Sequence, residues 1–395
     1  MIQLADKEHC TACGACAFVC PKHCISMEEN QLGVVYPVVN ENGCISCKRC
    51  QNVCPIVTPV DFRTPSNAYA AWSSNDEERR TSASGGIAAE MYKSALKSGY
   101  YITGAIQNKD FSVSLEMSDS IQSIAKFKNS KYVFSSAYSL FPKIREALKE
   151  KRNVLVIGLP CQIAAIRKLF RNNEKLLLVD VVCHGTTPYN YLLQHIHTLE
   201  AEYGQKAVRM SFRDPDTYTY TYTFTLYNAK GQRFCERTIQ EGDAYQVGYH
   251  RKITYRENCY HCYFAKSQRV SDLTIADYHG LGRCEPCGFS DKNVSLILVN
   301  DSKGNAILKK LQDSGSIIAH ERPLEEPVKG EPQLRHPSPK TSNRKDFEKL
   351  YNGNFAQTME IILRRYYRRE RINKLKENAK KTLKKIIFTM IRRKK

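Results

Sequence analysis

Eight cysteines near the start of the chain fall into two runs of identical spacing, and no other feature limits the fold as strongly. Cys10, Cys13, Cys16 and Cys20 read C-x2-C-x2-C-x3-C and close on Pro21; Cys44, Cys47, Cys50 and Cys54 repeat the pattern and close on Pro55. Each member of the second run lies 34 residues after its counterpart, which marks an internal duplication. Disulfide staples, structural zinc and iron-sulfur clusters all use dense cysteines. With 16 cysteines in 395 residues and 42% hydrophobic content, the chain is far from a small disulfide scaffold and can bury a core unaided. Structural zinc takes one quartet per ion, usually as separated pairs, and needs no trailing proline.

A 4Fe-4S cube needs four thiolates arriving from different directions. A tight loop with cysteines every third residue reaches three corners, and in two-cluster ferredoxins the fourth thiolate comes from the other repeat. This assigns Cys10, Cys13, Cys16 and Cys54 to one cluster, and Cys44, Cys47, Cys50 and Cys20 to the other. Between the runs, "LGVVYPVVNENGC" carries Asn42-Gly43 as a turn signal and predicts a short hairpin. Residues 1–60 are thus expected to form an α+β, ferredoxin-like dicluster domain, and residues 1–57 resemble a bacterial two-cluster ferredoxin. Cys24 is left over and reads as a small apolar filler.

After Pro65 the pattern changes. "AYAAWS", "YITGAI", "VSLEM", "NVLVIGLP" and "KLLLVDVVCHG" read as strands. Residues 76–99 read as a polar turn leading into a helix that stops at Gly99, and 140–150, 161–170 and 188–204 as further helices. This alternation predicts an α/β body with a mixed sheet. "TYTYTYTFTL" (217–226) alternates aromatic residues with threonine; core packing is the expected use of the aromatic face, and a stacking surface for a flat cofactor the lesser one. With "QRFCERTI" across the "NAKG" turn it predicts an antiparallel hairpin, with Cys235 in its core. Gly85 and Gly86 in "SASGGIAA" open a helix where a phosphate can approach bare backbone, although a plain turn explains them equally. Neither G-x-G-x-x-G nor G-x-x-x-x-G-K-[ST] occurs.

The remaining cysteines form a second constellation. Cys161 and Cys183 follow successive strands, whose ends converge on one edge of an α/β sheet, and "NCYHCYFAK" adds Cys259 and Cys262. Singly, Cys161 and Cys183 read as ordinary buried thiols; together the four make a full quartet. Cys284 and Cys287 are a further C-x2-C, open between extra ligands, a redox pair and loop thiols.

"SGG", "KYVFS", "GLPCQIAAIRK", "VVCHG", "NCYHCYFAKSQRVSDLTIADYHG" and "DKNVSLILVN" occur in that order. Through them residues 1 to about 360 resemble the beta-subunit family of coenzyme F-420 hydrogenases and dehydrogenases. Hydroxymethyl-chlorophyll reductases are relatives of that family, and the form with an N-terminal two-cluster ferredoxin resembles one found in bacterial polysaccharide-synthesis gene sets. The resemblance implies FAD held by Ser84, Gly85, Gly86, Lys131 and Tyr132. It also implies a third 4Fe-4S cluster on Cys161, Cys183, Cys259 and Cys262. It divides the body into residues 66–150, the first part of the flavin-binding region, and 151–321, the second part with the third cluster. Electrons would run between the ferredoxin clusters, the third cluster and FAD. In one place the chain departs from the family: "ADYHG" stands where glycine-aspartate-aromatic-tryptophan-glycine is usual.

Residues 322–360 hold a proline-rich stretch and read as a linker. Residues 361–395 carry 15 Lys/Arg against 2 Asp/Glu, or +13 of the total +20, leaving +7 on the rest. Ile372, Leu375, Ala379, Leu383, Ile386 and Met390 follow helical spacing, so this basic helical tail suits an anionic membrane surface as well as it suits a solvated end. Nucleic acid is not the expected partner. No signal-peptide h-region and no long apolar run is present, so a cytoplasmic protein, peripheral to the membrane if the tail binds, is expected. The expected function is an iron-sulfur, FAD-dependent oxidoreductase acting on a small molecule, with an electron donor or acceptor protein as partner. The alternative is an electron-transfer subunit with no substrate of its own. His184 and His279 are proton-donor candidates by position alone.

Overall fold

The computed structural model describes residues 2–171, 173–217, 222–368 and 371. All sixteen cysteines are free thiols, so no disulfide staples the chain. At the N-terminus, two short helices, Ala15–Val19 and Arg49–Val53, flank a hairpin of β1 (Ile25–Glu29) and β2 (Val35–Val39). Its turn is not at Asn42-Gly43, as the sequence suggested, but at Asn30–Gly33. The Asn30 side chain there accepts from the Leu32 and Val34 N–H groups, and Gly33 takes φ 72°. Asn42 and Gly43 form a 3-10 turn that leads into Cys44.

The body is built on a nine-stranded sheet. Its strands are β3 (Asn67–Ser73), β4 (Tyr101–Gln107), β5 (Val113–Ser118), β6 (Ser135–Ser136), β7 (Val154–Gly158), β8 (Leu176–Val181), β12 (Leu273–Asp277), β13 (Ser295–Val299) and β14 (Ile317–Arg322). Their spatial order is β14-β3-β13-β12-β8-β7-β4-β5-β6. The centre, β12-β8-β7-β4, is parallel and the flanking pairs are mostly antiparallel, giving the expected mixed sheet. "VLVIG" of β7 and "SLILV" of β13 are buried throughout, as central strands covered on both faces must be. A second, three-stranded sheet joins β9 (Arg209–Ser211), β10 (Phe224–Tyr227) and β11 (Arg233–Arg237); β10 and β11 are the expected antiparallel hairpin, with Cys235 buried. Phe224 packs in the core with Phe212 and Tyr245, the expected use of the aromatic face, whereas Tyr222 lines a cavity; residues 218–221 of this stretch lie outside the described residues.

Between β3 and β4 the polar turn is itself helical. Asn75 caps Asp76–Thr81 by accepting from Glu78 N–H at 2.8 Å, and the main helix, Ile87–Lys97, starts only after Gly86 takes φ 85°. Helix Pro160–Phe170 starts on proline, whose missing N–H costs nothing there.

The N-terminal domain shares its core with the body. Ala15 is fully buried with Leu140 and Phe141, Phe18 packs on Phe141 at 5.4 Å, and Tyr191 Oη donates to the Leu32 carbonyl at 2.7 Å. Burying an aromatic side chain of this size is worth about 1.5–3 kcal/mol, so these contacts hold the domain against the body.

Residues 322–360, read as a linker, are packed structure. Helices Glu325–Gly330 and Ser342–Leu350 and the 3-10 turn Pro332–Leu334 give this stretch its structure, and Glu326, Glu331, Gln333 and Arg344 are buried in the interior. The prolines mislead because the polar residues between them find buried partners; Arg322 reaches Glu326 through two 2.9 Å contacts. The boundary at residue 361 also shifts. Residues 355–368 are helical, with Phe355, Met359 and Ile362 buried in the core at spacings of four and three. The rest of the expected tail, from 372 onward, lies outside the described residues. Among the described residues no helix is long and apolar enough to cross a membrane.

Candidate functional site

The two N-terminal quartets surround separate cavities. Cys10, Cys13, Cys16 and Cys54 line one, and Cys20, Cys44, Cys47 and Cys50 line the other. The crossed grouping expected from the spacing is therefore the grouping in space. Cys24 also faces the second cavity, with its Sγ 3.4 Å from Cys20 Sγ, a position its reading as plain filler missed. Cys47 is exposed, the one exposed residue of these eight.

A third cavity lies under the body. Cys161 sits in the first turn of Pro160–Phe170 after β7, and Cys183 follows the parallel neighbour β8. Helix Glu257–Tyr260 and the loop after it bring Cys259 and Cys262 to the same cavity. Burial pushes the Cys161 thiol well up, and repulsion from Cys183, Cys262 and Cys259 adds to this, so the four face one another. Cys13 and Cys262 are each pushed up to about 11, again mainly by burial. Tetrahedral zinc holds four sulfurs about 3.8 Å apart. Among the described residues no three cysteine sulfurs lie within 4.8 Å of one another, which fits the wider grip of a four-iron cube. Cys284 is exposed and near Lys329 Nζ, and neither it nor Cys287 lines this cavity.

Beside the third cavity is a much larger one of about 380 Å³. Ser84, Gly86, Lys131 and Tyr132 line it. Gly85 does not: a side chain there would lie 2.4 Å from the Ala71 carbonyl and 2.9 Å from Ser295 N, so glycine at this position serves packing against β3 and β13. Lys131 Nζ donates to the Lys128 and Asn129 carbonyls at 2.9 and 3.3 Å rather than to a carboxylate, and burial pushes its ammonium down to about 8. Tyr132 packs on Tyr249 at 4.6 Å, with Tyr222 and His250 behind it. Asn129 Oδ1 and His250 Nε2 in the wall are buried without a hydrogen-bond partner, polar atoms that a bound ligand would satisfy. A cationic amine with no counter-charge among the described residues, an aromatic face and unpaired polar atoms fit a flat, anionic, nucleotide-like cofactor.

These cavities share walls. Cys13 lines both the first and the third; Cys183, His184, Gly185 and Thr186 line both the third and the large one. His184 and His279, expected only by position, both reach the large cavity. Glu331 meets them there, and sequence reasoning missed it because it lies in the stretch read as a linker.

Residues 151–324 match the family model described as the C terminus of the Coenzyme F420 hydrogenase/dehydrogenase beta subunit, and residues 9–57 match the 4Fe-4S dicluster domain. Similar proteins include the F subunit of F(420)H(2) dehydrogenase of Methanosarcina mazei, 22% identical over 205 residues that cover 49% of this chain and 58% of that one. Coenzyme F420-dependent sulfite reductase of Methanocaldococcus jannaschii is 30% identical over 174 residues, 42% of this chain and 26% of that one. The chain thus spans less than two thirds of these relatives' own length. A chain from the xenon-derivatised F420-reducing NiFe hydrogenase complex of Methanosarcina barkeri aligns with a TM-score of 0.47 at 18% identity, covering 73% of this chain and 93% of that one.

Proposed function

We propose that the chain is an iron-sulfur flavoprotein oxidoreductase, from the match of residues 151–324 to the C-terminal model of the coenzyme F420 hydrogenase/dehydrogenase beta subunit and of residues 9–57 to the 4Fe-4S dicluster domain. In this reading the chain would hold three 4Fe-4S clusters and FAD, which would supply electron exchange between a partner protein and a small-molecule substrate. The observation that carries this reading is the run of shared walls: Cys13 joins the first cysteine cavity to the third, and Cys183 joins the third to the large one. In this reading Cys10, Cys13, Cys16 and Cys54 hold the inner ferredoxin cluster, Cys20, Cys44, Cys47 and Cys50 the outer, and Cys161, Cys183, Cys259 and Cys262 the third. FAD supplies the exchange between two-electron chemistry and the single electrons that clusters carry.

The chain's own residues position that chemistry. In this reading Lys131 meets an anionic phosphate inside the cavity; Gly86 opens the helix whose first residues, Ile87, Ala88 and Ala89, line the same space, and Ser84 lines it too. Tyr132 and Tyr249 offer the ring face, and the cysteines of the third quartet are buried or half-buried. The basic tail holds the protein at an anionic membrane surface on the cytoplasmic side, where polysaccharide precursors are one substrate class and a deazaflavin carrier, taken from the relatives' names, is another.

Anaerobic purification followed by iron, sulfide and flavin assays tests the reading; twelve irons and one FAD per chain are expected, and a protein without flavin ends it. The second reading, an electron-transfer subunit without a substrate, draws on the relative named as a subunit. Turnover of a metabolite panel by the isolated holoprotein separates the two.

A further inference from the structure

The buried carboxylate of Glu331 receives two imidazoles. Its Oε2 lies 3.2 Å from His184 Nε2 and 3.7 Å from His279 Nε2. Its Oε1 accepts from Gln333 N–H at 3.1 Å, which fixes the carboxylate with Oε2 toward the rings. The Glu331 side chain is 2% exposed, whereas the rings are 40% and 44% exposed. All three ligating atoms fall within 4.8 Å of one another, the one such group of three among the described residues.

The three residues come from separate parts of the chain. His184 follows β8, His279 follows β12, its parallel neighbour, and Glu331 closes the helix Glu325–Gly330. Their convergence therefore depends on the tertiary fold. A simple ion pair needs only one imidazole on the carboxylate; here two rings from different strand ends are brought to the same oxygen. Two imidazole nitrogens and a carboxylate oxygen are a zinc donor set, and ligand distances of 2.0–2.2 Å in tetrahedral geometry place donors about 3.3 Å apart. The observed separations bracket that spacing. His279 also stands where the family resemblance leads one to expect tryptophan.

We propose that His184, His279 and Glu331 bind a divalent transition metal, zinc by its donor set, in the wall of the large cavity. Three protein ligands leave a fourth position open, the arrangement of reactive rather than structural zinc sites. The open position faces the cavity, where it takes an oxygen donor of a bound molecule. The Gln333 N–H bond to Glu331 is the outer contact that orients the carboxylate. The site shares its walls with the large cavity and, through His184, with the third cysteine cavity, but none of its three residues is among those assigned to the clusters or to FAD.

The test uses the full chain, purified anaerobically with its own cofactors, carrying Cys284→Ser and Cys287→Ser to remove loop thiols that would take zinc themselves. After brief chelation, zinc chloride is titrated by calorimetry and the bound ion is studied by zinc-edge X-ray absorption. One equivalent is expected, with nitrogen and oxygen neighbours and no sulfur. His279→Trp and Glu331→Gln should each weaken binding by at least about 100-fold. Iron and flavin contents of the same samples report on folding and on the proposed function independently. Substoichiometric zinc, sulfur in its first shell, or full binding by a folded His279→Trp variant would overturn the proposal.

Discussion

Arg256 Nη1 donates to the Thr11 carbonyl at 3.2 Å, and this one hydrogen bond ties the loop of Cys10 and Cys13 to the segment that carries Cys259. Arg256 is 3% exposed and lies over the Phe134 ring at 4.4 Å. Burial lifts the Cys10 and Cys161 thiols, and the charge of Arg256 pulls both back. A cation placed between two quartets favours the reduced form of anything they hold. Arg256→Gln should therefore lower the reduction potentials of the inner ferredoxin cluster and the third cluster and leave the outer one unchanged. Redox-poised electron paramagnetic resonance measures all three; an equal shift in every cluster would show a general loosening instead.

Replacing Cys259 with serine should remove about four irons and leave the ferredoxin signals in place. Because that quartet joins two segments of the body, the variant should also melt at a lower temperature. Cys284→Ser with Cys287→Ser is the control and should keep its full iron content. The opposite result would reassign the ligands.

Lys131 gives flavin binding a pH dependence. Burial holds its ammonium down to about 8, and an anionic phosphate beside it would bring it back up. Binding then takes up a proton above pH 8, so FAD affinity should fall as pH rises through that value, by up to tenfold per unit. Lys131→Met should bind more weakly at pH 7 and lose the slope. Fluorescence titration at pH 7 and pH 9 reads both.

Glu326 anchors the stretch that presents Glu331. Burial works to raise its carboxyl, but Arg322, the Cys284 N–H and Tyr278 Oη outweigh that and hold it down to about 2. The stability it contributes is fully present above the ordinary carboxylate range and is lost as pH falls from there toward 2. At neutral pH, Glu326→Gln leaves Arg322 buried without its partner and should cost about 3 kcal/mol by denaturant unfolding.

Vesicle binding by the tail needs a cut that spares the core. Removing everything after Gln357 would delete Met359 and Ile362, both buried, so the informative truncation ends at Arg368. That variant should fold and lose salt-sensitive sedimentation with anionic vesicles; retained sedimentation would place membrane affinity elsewhere.

The parts that could be read from the sequence were those governed by local spacing. The cysteine runs, the strands and helices read between 68 and 204, and the placement of Cys161 and Cys183 just after β7 and β8 follow from short-range pattern and are present in the structure, which adds the short helices Asp76–Thr81 and Ser123–Phe127 and the strand β6. What stayed hidden depends on distant partners. Gly85 looked like a phosphate-binding glycine, and only the approach of Ala71 and Ser295 reveals its packing role. Pro323, Pro327 and Pro332 suggested a linker, while the buried pairing of Arg322 with Glu326 packs the same stretch, which brings Glu331 to the large cavity. Asn42-Gly43 carries the stronger turn signal, yet Asn30 has the better side-chain bonds to its own turn.

The exposure of Cys47 gives the molecule an outer and an inner end. The other eleven cysteines proposed as cluster ligands are buried or half-buried, and this one meets solvent. Damage by oxygen would then have an order in time. The outer cluster would bleach first and cut the protein off from its partner while the inner centres stayed intact. A briefly aerated sample would be disconnected rather than destroyed, and rebuilding that single cluster with iron and sulfide should return it to service.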